Sequence, residues 1–168
     1  MTYKTWAAAL MLSLVGVSAA GAQDAQTETA TEPDPFVEGL KTLPGTYAGD
    51  YFCRNTGAHG LTLKVEAMAG TDMTAGAYPV SATLWFYPLM SNPDAPKGAF
   101  YMEGTLDEFG QLQLLPTDWI EQPSNYGAAE IDGAYDADDK VIRGKPAGRG
   151  AAATGCLALN LTRLADVE

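Results

Sequence analysis

The chain has 168 residues, of which 21 are acidic and 10 are basic, so its net charge is −11. An acidic balance of this size excludes nucleic acid as a partner, because nucleic acid requires a basic face. One histidine and two cysteines are too few ligands for a Cys/His zinc site, and we expect neither a metal nor a cofactor.

The first 22 residues have the three parts of a secretory signal peptide. Lys4 is positively charged, residues 6–17 are apolar, and Ala20-Gly21-Ala22 supplies the small residues of a cleavage site. The alternative is a membrane anchor, but a spanning helix needs roughly 20 apolar residues and this run is shorter. No later apolar run is long enough to span a membrane. We predict cleavage before Gln23 and a periplasmic or secreted protein.

Residues 23–43 are polar and acidic and contain two prolines. A segment of this composition buries little apolar surface, so we predict a disordered acidic spacer. A short helix over Phe36–Leu40 is the alternative. We expect a single β domain over residues 44–168.

From residue 47 onwards the hydrophobic residues alternate with period two, which is typical of strands with one buried face. We predict about eight strands and no helix between them, and therefore an antiparallel all-β fold. The predicted strands are 47–53, 61–67, 80–87, 100–106, 111–114, 127–135, 140–144 and 157–162.

The connections between these strands are short. Asp107–Gly110 and Asp136–Asp139 are typical of tight hairpin turns, whereas residues 91–96, 122–125 and 70–79 predict longer loops. Short connections favour an up-and-down barrel. In an eight-stranded meander, Cys53 ends the first strand and Cys156 begins the last, so we predict that a disulfide closes the barrel there. A two-sheet sandwich is the alternative.

Several motifs recur together in this order: GTYAGDYFC (45–53), GLTLKV (60–65), GAFYMEGTL (98–106), WIEQPSNY (119–126) and GCLALNL (155–161). As a set, they resemble an uncharacterised bacterial secreted β-domain family with the pattern GxYxGxYxC, GLTL, WIxQPxxY and GC. That family is similar to the C-terminal module of some bacterial caspase-like proteins. The resemblance covers residues 44–164 and implies the domain boundaries, but no reaction.

The strongest candidate for a recognition surface is the aromatic and polar segment 119–126, which we predict to form one loop. Aromatic faces beside planar polar groups commonly grip sugars and peptides. The alternative is that its tryptophan plugs the end of the barrel. Two aromatic residues of the third strand are predicted to point outward and to add to the surface. The candidate binding residues are Trp119, Glu121, Gln122, Asn125, Tyr126, Trp85 and Tyr87.

Catalytic chemistry has weaker support. We expect His59, the single histidine, to lie exposed in a hairpin loop, and no nucleophile motif accompanies it. Acidic candidates for a carboxylate pair are Asp118, Glu121, Glu130 and Glu103. Asp136, Asp138 and Asp139 could hold calcium, but the pattern of a calcium loop is incomplete and an ordinary turn is favoured.

These observations favour an exported, non-enzymatic protein of the bacterial envelope that binds a protein or a glycan. The predicted core positions are mostly large and apolar, so we expect a filled barrel that recognises its partner through loops. Two alternatives stay open: a small hydrolase of envelope polysaccharide, and a structural subunit with Trp85 and Tyr87 in an interface.

Overall fold

The computed structural model describes residues 35–68, 76–148 and 155–165. The predicted signal segment lies outside the described residues, as do residues 23–34 of the predicted spacer and residues 70–75 of the predicted loop. The elements are one helix and eight strands: α1 (Pro35–Leu40), β1 (Gly45–Cys53), β2 (Gly57–Ala67), β3 (Ala77–Pro88), β4 (Gly98–Asp107), β5 (Gln111–Glu121), β6 (Glu130–Asp136), β7 (Val141–Ala147) and β8 (Cys156–Arg163).

The eight strands form one closed antiparallel barrel in the order β1 to β8, with β8 paired to β1. The predicted up-and-down barrel is therefore confirmed, and the two-sheet alternative is wrong. The period-two pattern explains why the sheet closes, since alternate residues of each strand point inward and share one core. On β2, for example, Leu61, Leu63 and Val65 are buried, whereas Lys64 and Glu66 are exposed.

The Cys53–Cys156 disulfide joins β1 to β8 at the point where the barrel closes. The two cysteines are paired in the register of β1 and β8, and they are 103 residues apart in the sequence. Restricting a loop of this length in the unfolded chain stabilises the fold by roughly 4–5 kcal/mol in the chain-entropy account. The predicted disulfide is therefore confirmed, and it marks what we call the disulfide end of the barrel.

The opposite end, which we call the closed end, is covered by α1 and the residues that follow it. Leu40 and Leu43 are fully buried, and the Tyr47 hydroxyl donates a 2.6 Å hydrogen bond to the Leu43 carbonyl. The hydroxyls of Thr42 and Tyr135 lie 2.8 Å apart. The prediction that the spacer extends to residue 43 is therefore wrong, because two leucines of that segment complete the core.

The turn between β4 and β5 follows the predicted chemistry. In the β4–β5 hairpin, the Asp107 side chain accepts hydrogen bonds from the backbone amides of Phe109 and Gln111, at 2.9 and 2.8 Å. Gly110 adopts a left-handed φ of 80° there, which glycine adopts at little steric cost. The predicted loop 70–79 ends earlier than expected, since β3 already begins at Ala77.

Candidate functional site

A cavity of about 370 Å³ opens inside the barrel at the disulfide end. Its wall consists of inward residues from the strands, together with one connection that crosses the end of the barrel. The lining residues are Tyr51, Cys53, Thr56, Leu61, Leu84, Phe86, Phe100, Asn125, Tyr126, Gly127, Ala129, Glu130, Ile131, Pro146, Cys156 and Leu159. The expectation of a filled barrel is therefore wrong at this end.

The cavity exists because the inward side chains at this end do not meet across the barrel. At the closed end, Leu40 and Leu43 belong to the buried core, and the tyrosines Tyr47 and Tyr135 pack edge to face with 6.2 Å between ring centroids. At the disulfide end, no helix among the described residues enters the barrel. The wall is mostly hydrocarbon and aromatic carbon, with a few polar groups, as in sites for small molecules.

The connection between β5 and β6, residues 122–129, brings two predicted binding residues to the cavity. The backbone amide of Tyr126 donates to the Pro123 carbonyl at 3.2 Å, which forms a turn. Asn125 has a φ of 65° in this turn, a left-handed conformation that asparagine tolerates. The Gln122 side chain donates to the Tyr126 carbonyl at 3.0 Å and fixes the loop. Gln122 thus holds Tyr126 in place and does not itself line the cavity.

An aromatic cluster supports one side of the cavity. The Tyr126 ring stacks on Phe86, with centroids 5.9 Å apart and planes 16° apart. Behind it, Trp119 contacts Phe100 and Phe86 edge to face at 5.0 and 6.4 Å. Trp119 is half-buried against the core, and both Trp119 and Glu121 belong to β5. The prediction that residues 119–126 form one loop is therefore wrong in its first half.

Two of the residues that line the cavity are tyrosines, Tyr51 and Tyr126. The hydroxyls of Tyr51 and Tyr126 form no hydrogen bond with any residue that the structure describes. Burial raises the pKa of Tyr51 well above its usual value, and the neighbouring Tyr126 raises it further. The Tyr51 phenol therefore stays neutral at physiological pH, and its hydroxyl can donate or accept a hydrogen bond.

Glu130 is the only charged side chain among the described residues that line the cavity. It begins β6 and is partly buried, beside the end of β7. Its carboxylate lies against Gly148, where an added Cβ would come within 2.9 Å of Glu130 Oε1. Gly148 has a left-handed φ of 83°, so this position both suits glycine and leaves room for the carboxylate.

His59 does not line the cavity itself, but it packs against Tyr51, which does. It belongs to β2, points into the barrel and is fully buried, so the predicted exposed loop position is wrong. Its ring stacks on Tyr51 with centroids 5.0 Å apart, and its Nε2 lies 3.1 Å from Thr56 Oγ1. Within the described part of the chain, Nδ1 has no hydrogen-bond partner. Burial lowers the pKa of His59, against an opposing hydrogen bond with Thr56.

The other two aromatic candidates lie elsewhere. Trp85 and Tyr87 are on the outer face of β3, so the structure does not bring them together with the cavity residues. Trp85 is 37 % exposed. The Tyr87 ring covers Gly60, and its hydroxyl lies 3.4 Å from Thr62 Oγ1, so Tyr87 is packed onto the wall.

The carboxylates considered for catalysis are dispersed. Glu121 is exposed and lies 3.2 Å from Lys97. Asp118 and Glu103 line a shallow groove on the outer wall, away from Glu130 at the cavity. In the hairpin between β6 and β7, Asp136 and Asp139 pair with Arg143 at 2.9 and 3.2 Å. Hydrogen bonds from the Asp139 amide and from Arg143 lower the pKa of Asp136.

The sequence did not predict the cavity, and it did not indicate that Tyr51, Leu159 and Glu130 line it. The signal for Tyr51 and Leu159 was their inward position on strands next to the two cysteines, but a pattern of inward residues does not reveal whether they meet. The chain matches no protein-family model, and it has no significant match among curated proteins. The family resemblance of its motifs stays a prediction. None of the helices in the described part of the chain has the length and apolarity required to cross a membrane.

Proposed function

We propose that this chain is an exported, non-enzymatic binding protein that holds a small, mostly apolar ligand at the disulfide end of the barrel. The observation that carries the proposal is the cavity of about 370 Å³, because empty apolar space inside a barrel is costly. Its volume falls in the range of sites for small molecules, roughly 300–1,000 Å³.

The distribution of polar groups supports binding. An apolar wall provides affinity through the hydrophobic effect, and a few polar groups with no partner among the described residues orient the ligand. Here these groups are the hydroxyls of Tyr51 and Tyr126, the Asn125 amide and the Glu130 carboxylate. The dispersal of Asp118, Glu121 and Glu130 gives less support to a hydrolase that uses a carboxylate pair.

Export follows from the predicted signal segment, and the disulfide is compatible with an oxidising compartment. A periplasmic or secreted binding protein could carry an apolar molecule through water, or report its presence to an envelope protein or glycan through the outer surface of the loops. In this proposal, the loop of residues 122–129 is the part of the protein that senses occupancy, because Asn125 and Tyr126 line the cavity.

The test is an NMR titration of amide resonances with 4-phenylbutan-1-ol, a neutral molecule small enough for the cavity. We expect saturable shifts among residues 51–61 and 125–131. Leu159→Trp fills the cavity from β8 and should weaken binding at least tenfold. Leu157→Trp is the matched control, since Leu157 is on the same strand but is 47 % exposed.

An affinity that is equal in the wild type and the Leu159→Trp variant would contradict the proposal, as would the absence of saturable shifts. Because Leu159→Trp risks overpacking, thermal unfolding should accompany the titration. Ala129→Leu, which narrows the cavity from the loop, is the second variant and should also weaken binding.

A further inference from the structure

The charge around the cavity discriminates between classes of ligand. Glu130 is the only charged residue of the described lining, and no lysine or arginine belongs to that lining. A ligand with a carboxylate or a phosphate would therefore bring a second negative charge near Glu130 without a described cation to pair with it. Burying like charges next to each other is unfavourable, so the described lining disfavours anions.

The aromatic residues favour the opposite charge. Four rings belong to the lining, those of Tyr51, Phe86, Phe100 and Tyr126. The face of an aromatic ring carries partial negative charge and attracts a cation within about 6 Å of its centroid. Aromatic rings beside a carboxylate are an arrangement that holds ammonium groups, because the rings also bury the apolar part of such a ligand.

Resting on the proposed function, we propose that the ligand is a lipophilic amine whose ammonium group pairs with Glu130 while its apolar body fills the cavity. Water takes about 30 Å³ per molecule in the liquid, so the cavity has room for a body of roughly a dozen non-hydrogen atoms. A single ring with a short chain matches this size.

The position of Glu130 keeps the cost of desolvation low. Glu130 is partly buried at the start of β6, so the ammonium keeps contact with solvent while it pairs with the carboxylate. An ammonium has three donors, and Asn125, which also lines the cavity, carries an amide oxygen that can accept one of them. The hydroxyls of Tyr51 and Tyr126, which have no partner in the described part of the chain, accept or donate hydrogen bonds if the ligand carries a further polar atom.

The test compares three probes that share one skeleton: 4-phenylbutylamine, 4-phenylbutan-1-ol and 4-phenylbutyrate. In NMR titrations at pH 7, we expect the wild type to bind the amine at least about tenfold more tightly than the alcohol, and the acid most weakly. Glu130→Gln should lower amine affinity about tenfold and leave alcohol affinity within twofold. Glu121→Gln is the control, since Glu121 pairs with Lys97 outside the cavity and its loss should change neither.

The outcomes separate this inference from the proposed function. Alcohol binding equal to or tighter than amine binding in the wild type would overturn the amine assignment and leave the cavity function intact. Tightest binding of the acid would do the same. If none of the probes gives saturable shifts, both proposals fail. The preference of the wild type tests the inference without any substitution, so a poorly folded variant does not prevent a decision.

Discussion

The two ends of the barrel are built from the same strands and differ in what fills them. At the closed end, Leu40 and Leu43 enter from α1 and the segment after it, and the Tyr47 hydroxyl is bonded to a backbone carbonyl. At the disulfide end, Tyr51 lies four residues further along β1 with the same inward orientation, yet it lines a cavity. One end is densely filled, and the other holds a cavity and polar groups that have no partner among the described residues.

From this difference we expect the two ends to contribute unequally to the stability of the barrel. The closed end has a dense core and satisfied hydrogen bonds, whereas the disulfide end is held by a covalent bond between β1 and β8. A disulfide stabilises mainly by constraining the unfolded chain, so it adds stability without filling space. We infer that the cystine lets this end stay open enough to accept a ligand.

The largest expected difference between the ends is in the cost of removing a leucine side chain. Leu161 and Leu159 lie on β8 and both point inward, but only Leu159 lines the cavity. Leu161→Ala should lower the free energy of unfolding by about 3–4 kcal/mol, because it creates a new cavity in a dense core. Leu159→Ala should cost about 2 kcal/mol or less, because that side chain already lacks neighbours on one side.

Chemical denaturation with matched m-values measures both costs. Equal losses for the two variants would contradict the view that the ends are packed differently. A larger loss of unfolding free energy for Leu159→Ala than for Leu161→Ala would mean that the disulfide end is the more densely packed one.

The second expected effect is a pH dependence that originates at the disulfide end. Burial lowers the pKa of His59 in the folded state below its ordinary value of 6.5, so the unfolded chain binds more protons around and below that pH. The stability that neutral His59 permits is complete above pH 7 and is lost as the pH falls below about 6.5. The slope should reach at most about 1.4 kcal/mol per pH unit.

His59 is the single histidine of the chain, so the window from pH 8 to pH 5.5 isolates it from the carboxylates, whose ordinary pKa values are lower. Denaturation at several pH values should show the slope in the wild type and a flat profile in His59→Gln. The same slope in both proteins would show that another group is responsible. The lowered pKa of Asp136, at the closed end, affects stability only below this window.

The sequence predicted the barrel because period two, short turns and the positions of two cysteines all constrain the backbone. Those signals do not report how far inward side chains reach across the barrel. Leu40 and Leu43 were assigned to a spacer because acidic residues and prolines around them dominate the composition, although burial needs only two apolar side chains at the right place. His59 was assigned to a loop because the glycines beside it mask a strand residue.

The candidate site was predicted in part. Asn125 and Tyr126 were singled out by their chemistry, and they do line the cavity. Trp85 was singled out in the same way, and it does point outward as predicted, but it does not adjoin the cavity residues. Alternation along one strand predicts the face of the barrel on which a residue lies, but not its distance from a loop. Glu130 was considered for catalysis, and only its place beside the apolar wall suggests the pairing role proposed above.

The smallest expected difference compares the two tyrosine hydroxyls of β1. Tyr47→Phe removes a buried 2.6 Å hydrogen bond and leaves the Leu43 carbonyl without its donor, which should cost about 1–2 kcal/mol of unfolding free energy. Tyr51→Phe removes a hydroxyl with no partner among the described residues, so stability should change by less than about 0.5 kcal/mol. Denaturation of the two variants side by side measures this difference, and each is the control for the other. A loss at Tyr51 as large as that at Tyr47 would mean that its hydroxyl has a structural partner and is not reserved for a ligand.

The same Tyr51→Phe variant also tests recognition. If it leaves stability unchanged but weakens binding of 4-phenylbutan-1-ol, the Tyr51 hydroxyl takes part in binding, because it then contributes to the affinity and not to folding.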